Sequence, residues 1–151
     1  MRTFDERLTP PWWLWVIGEV LVAVLAFSFY VAVGAAPAAA VLVLFGGAFG
    51  WILVTAAAIV RVEGETLTAG RAHIPVSGLG PVVVLDAELA RAVRGPESDP
   101  AAYHLIRGWV PAGVKAAVVD PNDPTPYWFV ATRRPAELAA AIEAARTPSR
   151  G

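Results

Sequence analysis

The sequence predicts a pair of membrane-spanning helices followed by a small β-rich domain. The first observation is an apolar stretch from Trp12 to Val60 in which Glu19 is the only charged residue. The second is a series of short β-branched and aromatic runs after Arg61, separated by turn residues. The third is an amphipathic pattern over 135–146. Together they predict a membrane α-helical hairpin, then a small barrel or sandwich closed by a C-terminal helix.

The apolar stretch is too long for one membrane span and divides into two at Gly34–Pro37. Helices over about 12–33 and 38–60 would each be roughly 33–35 Å long, which matches a hydrocarbon core of about 30 Å. The alternative is a cleaved signal peptide, whose apolar core is about 7–15 residues after a basic start. Here the apolar run is longer, and Asp5 and Glu6 offset the basic start. We therefore expect an integral membrane protein.

Basic residues near the ends of the helices predict the orientation. Arg2 and Arg7 precede the first helix, Arg61 and Arg71 follow the second, and the turn between them carries no charge. Because cytoplasmic loops carry an excess of Lys and Arg, we expect a multi-pass protein of the cell (plasma) membrane with both termini cytoplasmic. The expected parts are a cytoplasmic segment, the hairpin, a cytoplasmic domain and a disordered tail, at 1–11, 12–60, 61–146 and 147–151.

Glu19 is a candidate polar site within the membrane. It lies seven residues after Trp12, which corresponds to a depth of about 10 Å. An ionisable group at that depth is a functional hypothesis by default. In an antiparallel hairpin it would be level with Leu53 and near Thr55. The plainer alternative is a protonated or hydrogen-bonded glutamate with a structural role.

Gly46 and Gly50 form a small-x-x-x-small pair in the second helix. Such a pair lets another helix backbone approach closely. It fits either packing within the hairpin or self-association between two copies of the chain.

The part after Arg61 reads mostly as strands. The expected strands are 61–69, 71–76, 82–85, 103–110, 114–119 and 127–132. Residues 86–94 fit either a strand or a short helical turn. Pro135 suits the first position of a helix, and Glu137 lies in its first turn, where the helix dipole favours a negative charge.

Arg133 and Arg134 are the candidate contacts for an anion or a partner. They follow a strand and precede a helix N-terminus, where anions bind favourably, and Arg71 and Arg107 would join them if the fold brought them close. The alternative is a solvated or ion-paired surface. Trp128, like the neighbouring aromatic residues, fits either a core position or an exposed contact ridge.

No motif in the sequence indicates an enzyme, a cofactor or a metal. His73 and His104 lack the spacing of a metal motif, and Asp120 and Asp123 lack the pattern of a calcium loop. From Arg61 onward ten Lys and Arg balance ten Asp and Glu, so there is no electrostatic footprint for nucleic acid. We expect a protein that is not an enzyme, with no cofactor and no evident small-molecule substrate.

The run YWFVATRRPAELAAAI at 127–142 resembles the last strand and closing helix of bacterial pleckstrin-homology-like domains. The whole chain resembles an uncharacterised actinobacterial family of alanine-rich two-span membrane proteins, a domain of unknown function. The stretches that carry this resemblance are 5–13, 70–75, 85–86, 95–103, 107–110 and 120–135. The resemblance implies a binding or assembly module, and it transfers no catalytic residues.

These observations lead to two expectations for function. The first is an integral membrane protein of unknown biochemical role, acting as a membrane-anchored module that binds a protein or lipid. The alternative is an accessory subunit of a transporter or membrane enzyme complex that uses Glu19 within the bilayer.

Overall fold

In a computed structural model, which describes residues 2–147, the chain forms two compact units. The first combines the N-terminal residues through Leu8 with everything from Ala58 onward, and the second is Thr9–Ala57. The expectation of a separate segment at 1–11 is therefore wrong, because Arg2–Leu8 is a strand of the first unit. The expected disordered tail falls mostly on 148–151, which lie outside the described residues.

The second unit contains helix α1, Trp12–Val33, and helix α2, Ala35–Ala56. Each has 22 residues, and its most apolar 18-residue window has a mean hydropathy of 2.3 in α1 and 2.1 in α2, so both are long and apolar enough to cross a membrane by length and composition. Gly34 alone connects them, and its φ of 114° is one that other residues rarely adopt. Within α2, Leu42–Gly46 forms a π-helical turn.

The predicted bounds of the second helix, 38–60, need correction. The helix begins earlier because Pro37 is accommodated in its first turn, where a missing N–H has little effect. It ends at Ala56 because Ile59 and Val60 belong to a strand that pairs with the N-terminal strand.

The first sheet of the β-rich unit is an antiparallel meander of four strands in the order β1-β2-β3-β4. These strands are Arg2–Leu8, Ala58–Glu63, Thr66–Ala69 and Ala72–Pro75. In β1, alternate side chains point to opposite faces of the sheet. Phe4, Glu6 and Leu8 are buried on the inner face, and Asp5 and Arg7 between them are exposed. The helical hairpin is thus an insertion between the neighbouring strands β1 and β2.

The second sheet has the order β5-β7-β8-β6, with β6 parallel to β8. Its strands are Leu79–Leu85, Tyr103–Leu105, Gly113–Val118 and Tyr127–Ala131, numbered β5 to β8. Helix α3, Ala87–Arg94, follows β5 and starts at Asp86, whose carboxylate accepts hydrogen bonds from the N–H groups of Glu88 and Leu89. This cap decides between the two predictions for 86–94 in favour of a helix.

Helix α4, Pro135–Arg146, closes the β-rich unit. Leu138 and Ile142 on its inner face join a core built from both sheets, whose largest members include Phe129, Leu8 and Leu67. The predicted C-terminal helix is confirmed, and so is the order of two apolar helices followed by sheets. The barrel alternative is wrong, because the described strands form two separate sheets rather than a closed one.

Candidate functional site

Arg134 joins the N-terminal strand to the start of α4. Its guanidinium lies 4.7 Å from the centre of the Phe4 ring, donates a 2.8 Å hydrogen bond to the carbonyl of Asp5, and forms a 3.0 Å ion pair with Glu137. The Arg134 side chain is therefore ion-paired and packed within the domain, and its contact with an anion or a partner stays a prediction.

A buried polar cluster holds the same junction, and sequence reasoning missed it. Glu6 is 8% exposed, and its carboxylate accepts hydrogen bonds from the Thr132 hydroxyl and from the N–H of Arg133 at 3.2 Å. The Thr132 oxygen in turn accepts a 3.0 Å hydrogen bond from the N–H of Arg134. The alternation of Phe4, Glu6 and Leu8 carried a signal, since it places Glu6 on the same face as two apolar residues.

The prediction that Trp128 contributes to a contact surface is wrong. Trp128 is only 5% exposed, and its ring packs against Tyr103 with 4.3 Å between ring centres. All five residues of β8 are buried, because the strand lies between β7 and β6 and belongs to the shared core. Trp128 therefore takes the core position that the sequence left open.

Arg107 lies close enough to Tyr103 to affect its pKa, and Arg71 lies in the β3–β4 turn, next to the strand that the Tyr103 hydroxyl contacts. The Tyr103 hydroxyl donates a 2.7 Å hydrogen bond to the carbonyl of Ala69, two residues before Arg71. Burial raises the pKa of Tyr103, and the nearby positive charge of Arg107 opposes that rise. Arg107 also donates a 2.7 Å hydrogen bond to the carbonyl of Ile106.

Glu19 and Thr55, which the sequence placed near each other, are not hydrogen-bonded. The Thr55 hydroxyl donates to the carbonyl of Trp51 in its own helix at 2.9 Å. Glu19 lies instead opposite Gly46, where an added Cβ would be 3.4 Å from its carboxylate oxygen. The one-residue connection at Gly34 shifts the register of the two helices from the one that a four-residue turn predicts. This geometry gives no support to the accessory-subunit alternative.

Gly46 and Gly50 both face α1 within the hairpin. A Cβ on Gly50 would lie 3.6 Å from the Trp15 ring, and Gly18 of α1 receives the ring of Phe49 so closely that a Cβ there would overlap it. The small residues thus allow close packing within one chain. Self-association through the same glycines stays a prediction.

Two open concavities mark the surface of the β-rich unit. One, of about 420 Å³, is polar and includes His73, Ser77, Asp120 and Asp123. Hydrogen bonds from the Thr125 side chain and N–H lower the pKa of Asp123. Across residues 2–147, no three His, Asp or Glu side chains are grouped to hold a metal.

The other concavity, of about 380 Å³, is an apolar groove between α3 and the outer face of the second sheet. It is lined by Pro81, Val83, Leu85, Leu89, Val93 and Ala117, with Glu97 and Lys115 as its charged members. Val83 is 50% exposed and Leu89 52% exposed. The Lys115 ammonium lies 4.2 Å from the centre of the Tyr127 ring.

The architecture defines a class: two long apolar helices inserted between the first two strands of a two-sheet domain. The chain belongs to the family described as "Protein of unknown function (DUF3093)", whose model matches residues 3–142. The resemblance to a domain of unknown function over nearly the whole chain is thereby confirmed. Comparison with curated proteins and with solved structures gives no match.

Proposed function

We propose that the protein is an integral membrane protein whose β-rich unit is an interaction module held at the membrane surface. The observation that supports this most is that the helical hairpin is inserted between strands β1 and β2 of the β-rich unit. Only Thr9–Pro11 separate β1 from α1, and only Ala57 separates α2 from β2. Because an extended chain gains at most about 3.3–3.6 Å per residue, both linkers are short, and we propose that a hairpin crossing the membrane keeps the Leu8–Ala58 end of the first sheet near the membrane surface.

Exposure of the two helices supports the membrane over a soluble core. Only 11% of the most apolar window of α1 and 17% of that of α2 are buried. A core helix of a soluble protein would be mostly buried, and such large apolar surfaces are unfavourable in water.

The N-terminal strand argues against a cleaved signal sequence. Phe4 and Leu8 belong to the core of the β-rich unit, and Glu6 is bonded to Thr132. Cleavage after α1 would remove all of β1 and leave that core open. The strand therefore supports retention of both helices in the mature protein.

The fold supports binding rather than catalysis as the role of the β-rich unit. We propose a pleckstrin-homology-like fold for this unit, supported by the antiparallel meander and by the presence of β8 and α4 as the predicted closing strand and helix. Likeness of fold is an analogy and does not specify a ligand. We propose a module that binds, without an enzymatic reaction of its own.

The apolar groove is our proposed contact for a protein partner, in place of Trp128. Its exposed Val83 and Leu89 lie side by side with buried Leu85 and Val93 along one concave surface. Contiguous exposed apolar surface of this kind is typical of protein contacts, whereas isolated exposed residues are not informative.

A photo-crosslinking amino acid at Leu89, in the full-length protein in its native cells, tests this contact. We expect one dominant protein adduct from Leu89, lost when Val83 is changed to Asp, and no such adduct from the exposed control position Glu65 in the β2–β3 turn. Equal adducts from Leu89 and Glu65, or none from Leu89, would contradict the assignment of the groove.

A further inference from the structure

We infer that Arg7 and Arg71 form a binding edge for anionic phospholipid headgroups at the linker end of the first sheet. The inference rests on the proposed membrane anchoring and names the ligand of one particular edge. Neither the chain's net charge of -1 nor the balanced charge after Arg61 points to such a ligand. The edge arises from strand register, which brings together arginines that are 64 positions apart.

Register places the two arginines in one row. Arg7 is opposite Ile59 in the β1–β2 pair, and the N–H of Gly70 donates a 2.8 Å hydrogen bond to the carbonyl of Ile59. Arg71 follows in the β3–β4 turn, where Gly70 has a φ of 65°. With neighbouring strands about 4.8 Å apart, the row from Arg7 to the turn is about 10 Å wide.

The side chains of this row point outward. Leu8 and Ala58 are buried on the inner face of the sheet, so alternation puts Arg7 and Ile59 on the outer face. Arg7 and Arg71 are both exposed, and Ile59 is 40% exposed between them. The row thus offers two guanidinium groups flanking one apolar side chain, a combination suited to the interfacial region of a bilayer.

The positive charge of this row is not neutralised within the domain. Among residues 2–147, neither the Arg7 nor the Arg71 side chain makes a hydrogen bond or an ion pair. In the next row inward, Asp5 and Arg61 form an ion pair at 3.0 Å and cancel each other. The charge of Arg7 and Arg71 therefore lies at the Leu8–Ala58 end of the first sheet, where both linkers leave it.

Anionic headgroups match this edge in charge and position. A guanidinium binds phosphate oxygens with well-directed hydrogen bonds, and basic residues close to a membrane are attracted by anionic lipids within about a Debye length. Because the linkers leave the sheet at this edge and have only three residues and one residue, the proposed anchoring would bring both arginines near the headgroups.

The test uses the full-length protein in nanodiscs of phosphatidylcholine alone or with phosphatidylglycerol. The chain has no cysteine, so a fluorophore can be placed on a single cysteine at His73, which is exposed two residues after Arg71. Lipids with a headgroup spin label quench the fluorophore when the edge meets the headgroups. A fluorophore at Glu65, at the opposite end of β2 and β3, is the position control.

We expect phosphatidylglycerol to increase quenching at His73 several-fold and to leave Glu65 unchanged. The R7Q/R71Q pair should abolish the increase, R7K/R71K should keep it, and 0.5 M salt should reduce it. R91Q is the matched control, because Arg91 is an exposed arginine of α3 without an ion pair among the described residues. An increase that survives R7Q/R71Q, or one that R91Q abolishes equally, would overturn the inference.

A fluorophore at Val24, in the middle of α1, separates the two claims. Acyl-chain spin labels should quench it in both membranes if the helices span the bilayer. Absence of that quenching would refute the membrane anchoring itself. Quenching at Val24 with no lipid response at His73 would overturn the headgroup edge alone.

Discussion

Replacing Thr132 with Val tests how the N-terminal strand is fixed to the rest of the β-rich unit. Valine keeps the shape of the side chain, but it removes the hydroxyl that donates to the buried Glu6 carboxylate and accepts from the N–H of Arg134. A hydrogen bond to a charged group contributes about 1.5–3 kcal/mol, and a neutral one about 1 kcal/mol. We therefore expect T132V to lower the free energy of unfolding by about 2–4 kcal/mol, a large part of a typical total of about 5–15 kcal/mol.

Pulse proteolysis of the full-length protein in detergent micelles, across a urea series, measures this loss. With a slope of about 2 kcal/mol per molar urea, the middle of the usual range, the midpoint should fall by about 1–2 M. T132S is the control, since serine keeps the hydroxyl, and its midpoint should stay within about 0.5 M of the original. A T132V midpoint equal to that of the original protein would refute the claim that the Glu6–Thr132 bond holds β1 in place.

Three further predictions also concern the stability of the folded protein. D86A removes the cap of α3 and should cost about 1 kcal/mol, whereas D86N keeps an acceptor and should be nearly neutral; equal losses would contradict the cap. Burial raises the pKa of Tyr103 in the folded state. Its contribution to the free energy of unfolding is therefore fully present below about pH 10 and is lost as pH rises through the raised pKa. Y103F should remove this loss of stability at alkaline pH, and an unchanged dependence of stability on pH would contradict the prediction. G18A should lower thermal stability in micelles, because its Cβ would overlap the Phe49 ring, and F49A should partly restore it; no effect of G18A would contradict this packing.

The helices and the closing strand–helix pair are predictable because their signals are local. Twenty or so apolar residues in a row, or Pro135 followed by an amphipathic repeat, can be read without knowing any distant contact. The predicted end of α2 was wrong because no local signal marks it: Ile59 is as apolar as the helix before it. Its strand conformation depends on pairing with Arg7, 52 positions earlier.

The N-terminal strand and its buried cluster were missed for the same reason. Charged residues dominate TFDERL, so its alternation reads as a polar tail until β2 and Thr132 are in place. For Trp128 the strand was predictable but the burial was not. An aromatic run predicts a strand, but it does not show which faces of that strand the core covers.

Composition also concealed the distribution of charge over the surface. Ten positive and ten negative residues after Arg61 average to zero, yet Asp5 and Arg61 cancel in one row while Arg7 and Arg71 remain uncompensated in the next. Only register decides which charges are neighbours.

The central claim is that a hairpin crossing the membrane is inserted into a domain on one side of it. Single cysteines at Ala36, beside the turn between the helices, and at Glu65, in the β-rich unit, test this with a membrane-impermeant thiol reagent on intact cells. We expect labelling of A36C from outside and labelling of E65C only after permeabilisation. Labelling of both cysteines from the same side would contradict the hairpin and the orientation that follows from it.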